Sequence, residues 1–176
     1  MRPKLFLLLL ISFYFYGSSL AEELNDYRFA PDDQISITVF GEPDLSQPKV
    51  RIPSNGSISI PLIGQVHIQN LTTAEVENKL TQLLADGYLK KPAITVSIVE
   101  YRLFYINGEV KNPGGYSYRD GLTIERAVAL AGGFSERASK NNITITRDKD
   151  SAKTNKVQLN TPIKPGDVIT IKESFF

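Results

Sequence analysis

Ile35, Ile37 and Val39 alternate with Gln34, Ser36 and Thr38, the period-two pattern of a strand buried on one face. Turn residues bound it, with Pro31-Asp32-Asp33 ahead and Gly41-Glu42-Pro43 behind. A second alternation sets Ile58, Ile60 and Leu62 against Ser57, Ser59 and Pro61. Asn55-Gly56 before it predicts a hairpin turn, and Pro61 predicts an edge position or an early end. The period then changes to helical. Thr72 and Glu75 are spaced as a capping box, Leu71 and Val76 as a hydrophobic staple, and Val76, Leu80, Leu83 and Leu84 fall on one face. Gly87 stands where a left-handed residue ends such a helix. Ile94, Val96 and Ile98 alternate in a further strand that closes this unit near Glu100.

A second unit begins at Tyr101. Residues 103–107 read as a strand, and 108–115 as a turn-rich segment with Asn112-Pro113-Gly114-Gly115 at its tip. A short helix spans 123–131, with Thr123 as N-cap and Gly132-Gly133 as the stop. Ile143 and Ile145 lead a strand into a charged loop at 148–156. Two short strands follow, at 157–159 and 168–171. This order suits a β-grasp (ubiquitin-like) arrangement, a small mixed sheet wrapped on one helix. The expected fold class is α+β: strands plus one helix in the first unit, then the β-grasp unit. An internal echo links them, since residues 31–37 and 165–171 share the pattern Pro-x-Asp-x-Ile-x-Ile.

The N-terminus adds a location. Arg2 and Lys4 precede an apolar run over residues 5–16, and Ser19-Leu20-Ala21 carries small residues at the −3 and −1 positions of a signal cleavage site. The run is shorter than the roughly 20 residues a membrane-spanning helix requires. Cleavage after Ala21 leaves an exported chain beginning at Glu22, and no cysteine is present to carry lipid or form disulfides.

Composition then removes function classes. The formal charge of +1 loses two cations with Arg2 and Lys4, so nothing marks a nucleic-acid binder. One histidine, His67, removes the common zinc sites and the Ser-His-Asp triad, and we expect neither metal nor cofactor. It alternates with apolar neighbours as a solvated strand residue would. A glycosidase needs two facing carboxylates about 5–9.5 Å apart, and no feature of the chain pairs acids in that way. The terminal Phe175-Phe176 resembles the ending of a barrel protein, but the repeated ten-residue amphipathic strands of a barrel are missing. That pair either docks on a partner or packs on the last strand.

Several motifs together resemble the polysaccharide export protein family of Gram-negative bacteria. They are Pro31-Asp32-Asp33, Val39-Phe40-Gly41-Glu42, Gly56-Ser57-Ile58-Ser59-Ile60-Pro61-Leu62-Ile63-Gly64, Leu71-Thr72, Tyr88 and Pro92-Ala93-Ile94-Thr95-Val96. Residues 101–172 resemble the family's soluble-ligand-binding β-grasp domain. They carry Gly108-Glu109-Val110-Lys111-Asn112-Pro113-Gly114-Gly115-Tyr116, Leu122-Thr123, Ala131-Gly132-Gly133 and Gly166-Asp167-Val168. Asp32 stands where the family usually has glycine. The implied organisation is a signal peptide at 1–21, an export domain at 22–100 and the β-grasp domain at 101–176. The chain is expected to be a short form without the family's C-terminal pore helix.

What the resemblance implies is a non-enzymatic periplasmic component of exopolysaccharide or capsule export, reaching the outer membrane at most peripherally. Its expected partners are the polysaccharide chain, an inner-membrane polysaccharide co-polymerase, a separate outer-membrane channel protein and further copies of itself in a ring. The other reading is a monomeric saccharide-binding accessory or sensor. For ligand contact, Asn112, Tyr116, Tyr118 and Arg119 cluster beside the 112–115 turn; Tyr116 serves equally well as a core residue of the sheet. Pro31, Asp33, Gly41, Gly56, Gly64, Gly108, Pro113, Gly114, Gly132, Gly133, Gly166 and Asp167 are expected to serve turn geometry.

Overall fold

A computed structural model describes residues 27–147 and 153–174, with the side chains of 153–155 excepted. The leader with Ala21, most of the charged 148–156 loop and Phe175-Phe176 lie outside the described residues. The fold is α+β and has two hydrophobic cores.

In the first lobe, β1 (Gln34–Val39) lies between β2 (Gln47–Arg51) and β5 (Ile94–Glu100), antiparallel to both. A separate hairpin joins β3 (Ser57–Ile60) to β4 (Gly64–His67). Ile35, Ile37 and Val39 meet Ile58, Ile60, Val66 and Val96 in the core under α1 (Thr73–Ala85). The alternation thus buries the side it marks.

Helix α1 starts on the predicted box: the Thr72 N–H donates to Glu75 Oε2 at 2.7 Å and the Glu75 N–H to Thr72 Oγ1 at 3.3 Å. It ends before Gly87, at φ +90°. Its buried stripe is Val76, Leu80 and Leu84, one residue every fourth position; Leu83 points off that stripe and is exposed. Glu77 accepts the Val96 N–H at 2.8 Å, which satisfies one open donor of the β5 edge.

Two other expectations change in this lobe. The hairpin turn is at Pro61-Leu62-Ile63, not at Asn55-Gly56, and Leu62 sits exposed in it at φ +70°. Gly56 instead joins β2 to β3, and its carbonyl receives the Ile68 and Gln69 N–H groups at 2.9 and 3.1 Å. An ideal Cβ there would strike the Gln69 side chain, so the glycine closes the open end of the hairpin. Strand β3 ends at Ile60, just before Pro61.

The second lobe runs β6 (Phe104–Gly108), β7 (Gly114–Tyr116), α2 (Ile124–Leu130), β8 (Ala138–Thr146), β9 (Lys153–Asn155) and β10 (Val168–Glu173). The sheet order is β7-β6-β10-β8-β9, with β6 and β10 parallel and the other pairs antiparallel. First and last strands side by side and parallel, hairpins outside them and one helix across a face make a β-grasp. Phe104, Ile106, Ile143, Ile145, Ile169 and Ile171 form the core with Ile124, Ala127 and Val128 of α2.

The penultimate strand is at Lys153–Asn155, within the segment expected to be a loop, and not at 157–159. Val157 and Leu159 do pack against the core, which explains their alternation. Their backbone has other work. The Leu159 and Thr161 carbonyls accept the Glu125 and Ile124 N–H groups at 2.9 and 3.1 Å, capping donors that the first turn of α2 leaves free.

Candidate functional site at the seam between the lobes

The sequence echo is a repeated turn. In the first copy the Asp33 N–H donates to the Ala30 carbonyl at 3.3 Å, and the Ala30 N–H donates back to Asp33 Oδ2 at 2.8 Å. In the second, the same two bonds join Asp167 and Lys164, at 3.1 and 2.8 Å. Proline fills the second turn position both times. The third is left-handed, Asp32 at φ +72° and Gly166 at φ +84°, as a type II turn requires. Each turn buries its aspartate at the start of a strand and hands it an arginine, Arg102 for Asp33 and Arg147 for Asp167.

The first of these pairs joins the lobes. Only residues 101–103 separate β5 from β6. Within them, the Arg102 N–H donates to Asp33 Oδ1 at 2.8 Å, and the guanidinium lies 3.6 Å from Oδ2. The Tyr27 hydroxyl donates to Asp33 at 2.7 Å and accepts from Arg102 Nη1 at 2.8 Å. Tyr101 then stands edge-on between two rings, 4.9 Å from Tyr27 and 5.2 Å from Tyr118, which packs against the second core.

Burial, with the Asp33 charge adding to it, raises the Tyr27 phenol far above its ordinary range. Burial and the nearby Asp120 carboxylate push Tyr101 up to about 12 and raise Tyr118 as well. All three phenols therefore stay protonated at neutral pH.

Beside this latch a groove of about 620 Å³ opens between the lobes. The first lobe contributes Asp32 and Arg51; the second contributes Tyr105, Gly166 and Val168; residues 100–103 connect them. Both repeated turns thus present their left-handed residue to the groove. Arg51 donates to the Asp32 carbonyl at 3.0 Å. Tyr105 keeps 46% of its surface exposed, enough to offer a ring to a ligand. A groove of this volume with two aromatic side chains, Tyr101 and Tyr105, and several charged ones has the size and chemistry of a binding site. Among the described residues, no three His, Cys, Asp or Glu side chains gather where they could hold a metal.

Of the four residues nominated for ligand contact, only Tyr118 reaches the seam. The Tyr116 hydroxyl donates to the Asn112 carbonyl, and its ring stacks on Phe104 at 6.0 Å. Asn112 and Arg119 are exposed, and the Arg119 carbonyl accepts the Leu122 N–H at 3.2 Å. His67 is exposed on β4, with Nδ1 3.2 Å from Ser57 Oγ. Gly41, Gly56, Gly64, Gly108, Gly132, Gly133 and Gly166 all have positive φ; Pro113 and Gly114 lead into β7. Sequence reasoning missed Tyr27, Arg51, Arg102 and Tyr105. Arg102 and Tyr105 lie at or next to the end of an alternating run, a weak signal. Nothing local marks Tyr27, whose partner Arg102 is 75 residues away.

A family model for polysaccharide biosynthesis/export proteins matches residues 21–99, and an SLBB domain model matches residues 103–158. The chain belongs to the polysaccharide export protein family. Among relatives of this chain, the exopolysaccharide production protein ExoF of Rhizobium meliloti (strain 1021) is 31% identical over 144 residues, 75% of this chain and 33% of its own. The EPS I polysaccharide export outer membrane protein EpsA of Ralstonia solanacearum is 28% identical, over 73% of this chain and 41% of its own. The polysialic acid transport protein KpsD of Escherichia coli is 24% identical over 69% of this chain and 22% of its own. The chain therefore spans well under half the length of these relatives. No helix among the described residues is long and apolar enough to cross a membrane.

Proposed function

We propose that this polysaccharide export protein is a non-enzymatic periplasmic component that guides the polymer toward an outer-membrane channel. The observation that supports this is the match of one domain model to each lobe, over residues 21–99 and 103–158. The names of ExoF, EpsA and KpsD, which speak of exopolysaccharide production, outer-membrane export and polysialic acid transport, favour the same role. In this reading residues 22–100 are the export domain and 101–176 the β-grasp domain. The latch keeps the two in one orientation, so that the groove presents a constant surface to a passing chain. The partners are the polysaccharide, an inner-membrane co-polymerase, an outer-membrane channel protein and other copies in a ring. The exposed Asn112 and Arg119 remain available for ligand contact.

Deletion of the gene tests this reading. Synthesis should continue while polymer accumulates in the periplasm and release to the medium falls. Normal release from the deletion strain would remove the role.

A further inference from the structure

The end of the first lobe farthest from the seam is built from chain turns. Strand β1 starts at the latch turn and runs away from it. Helix α1 and the open end of the β3–β4 hairpin start there too. The Phe29 N–H donates to the Leu71 carbonyl at 2.9 Å, and the Asn70 N–H to the Phe29 carbonyl at 2.8 Å. The other ends of these elements therefore gather at the opposite pole. Gln47, opposite Ile37, donates to the Ser59 carbonyl at 2.9 Å, and the Phe40 N–H donates to the Ala93 carbonyl at 2.9 Å.

Three turns at this pole expose a large apolar side chain. Phe40 follows β1 and is 83% exposed, Leu62 tips the hairpin at 57%, and Tyr88 follows α1 at 51%. Leu62 does so at φ +70°, which strains a bulky L residue. Neither hydrophobic core takes in these side chains. Beside them in the chain stand Glu42, Asp44 and Asp86 with Lys90 and Lys91, all exposed. A lipid surface would call for an excess of cations. An apolar centre with charges of both signs around it has the anatomy of a protein contact.

The other end of the molecule supplies the occupant. Strand β10 starts at the seam, where Gly166 and Val168 line the groove, and runs to Glu173. Its length carries the chain about 20 Å from the seam. The Ser174 N–H then donates to the Arg137 carbonyl at 2.8 Å, which pins the chain at the far pole of the second lobe. Phe175 and Phe176 come next, and two residues reach about 7 Å at most. That reach falls short even of the seam of their own chain. They can meet the first-lobe pole only in another copy.

We propose that Phe175-Phe176 of one copy docks on the Phe40, Leu62 and Tyr88 pole of a second, joining copies head to tail. Two rings on a short tether match a surface of separate apolar side chains, edge or face against Phe40 and Tyr88. The contact is heterologous: each copy gives a tail and receives one, so copies add until the series closes. The inference does not depend on the export role, which the deletion strain judges separately.

The test follows the natively processed chain by sedimentation velocity, as wild type, as Phe40→Ser and as the double variant Phe175→Ser with Phe176→Ser. Wild type should associate as concentration rises, and each variant should weaken association by about tenfold or more. Circular dichroism should show both variants folded, since Phe40 lies outside the core. An equimolar mixture of the two variants should form a one-to-one complex and nothing larger, because one supplies only a tail and the other only a pole. A synthetic peptide of residues 170–176 should shift the amide NMR signals of Phe40, Leu62 and Tyr88 in the labelled chain. Wild type that stays monomeric at every concentration overturns the proposal. A tail variant that associates normally overturns it by leaving the aromatic pair to its own lobe, and a Phe40→Ser variant that does so moves the contact elsewhere. A mixture that forms no complex overturns the head-to-tail arrangement in favour of pole against pole.

Discussion

Asp33 accepts the backbone N–H of Arg102 at 2.8 Å, and the two charges face each other at 3.6 Å with the carboxylate fully buried. One aspartate thereby completes its own turn through Ala30 and holds the residue at which the chain passes from one lobe to the other. Turn chemistry and lobe orientation are the same interaction.

Asp33→Ala should accordingly be costly. It leaves the guanidinium of Arg102 in a mostly buried place with its carboxylate partner gone, and it frees the Ala30 and Arg102 N–H groups. Breaking a buried pair of this kind typically costs about 3–5 kcal/mol. A large fall in the urea midpoint is the expected result. A midpoint within experimental error of wild type would show that the latch contributes nothing.

Asp32 should respond in the opposite sense. It holds φ +72°, a region that strains an L residue, whereas the equivalent position in the second turn is Gly166. Its contact with Arg51 is 4.0 Å long between two exposed side chains and contributes little. Asp32→Gly therefore relieves strain at small loss, and a gain of about 0.5–1 kcal/mol is expected after the added freedom of the unfolded chain is counted. Denaturant unfolding checks this through a higher midpoint at unchanged slope.

The elements that local pattern controls were legible in the sequence. Ile35, Ile37 and Val39 bury the face they mark, and the Thr72–Glu75 box and the Thr123 cap start their helices where those residues stand. The errors arose where local pattern had two physical causes. Val157 and Leu159 alternate because they dip into the core from a segment whose carbonyls cap α2, which a linear reading cannot tell from a strand. Asn55-Gly56 has hairpin chemistry, yet Gly56 receives the distant Ile68 and Gln69. The seam was least legible: Tyr27, Asp33 and Arg102 meet only because the two lobes fold, and their separations in sequence carry no period.

Gly108→Ala tests the close approach of β6 to β10. Gly108 stands opposite Ile171 in the parallel pair at φ +84°, and a Cβ there would collide with the Ile171 carbonyl oxygen. Backbone on both sides leaves no flexible side chain to yield. Left-handed strain alone costs about 1–2 kcal/mol, and the collision adds to it. Loss of the second lobe's cooperative unfolding, with the first lobe still folded by hydrogen exchange, is the expected pattern. Wild-type stability in this variant would mean that the two strands can separate freely at this point.

Asp167 gives a pH dependence with a definite sign. Burial raises its carboxyl above the ordinary aspartate value; the Lys164 N–H and Arg147 pull the other way without cancelling it. Between the unfolded and folded pKa values the native state holds more protons than the unfolded one. Stability from this group is therefore present below the unfolded value and lost as pH rises through the folded one. Asp167→Asn keeps an acceptor near the Lys164 N–H and removes the ionisation, so the difference between the two unfolding curves isolates the residue. As pH climbs from the ordinary aspartate range, wild type should lose stability relative to the variant. A difference that runs the other way would mean that Arg147, 3.5 Å from the carboxylate, outweighs burial and holds the charge in place.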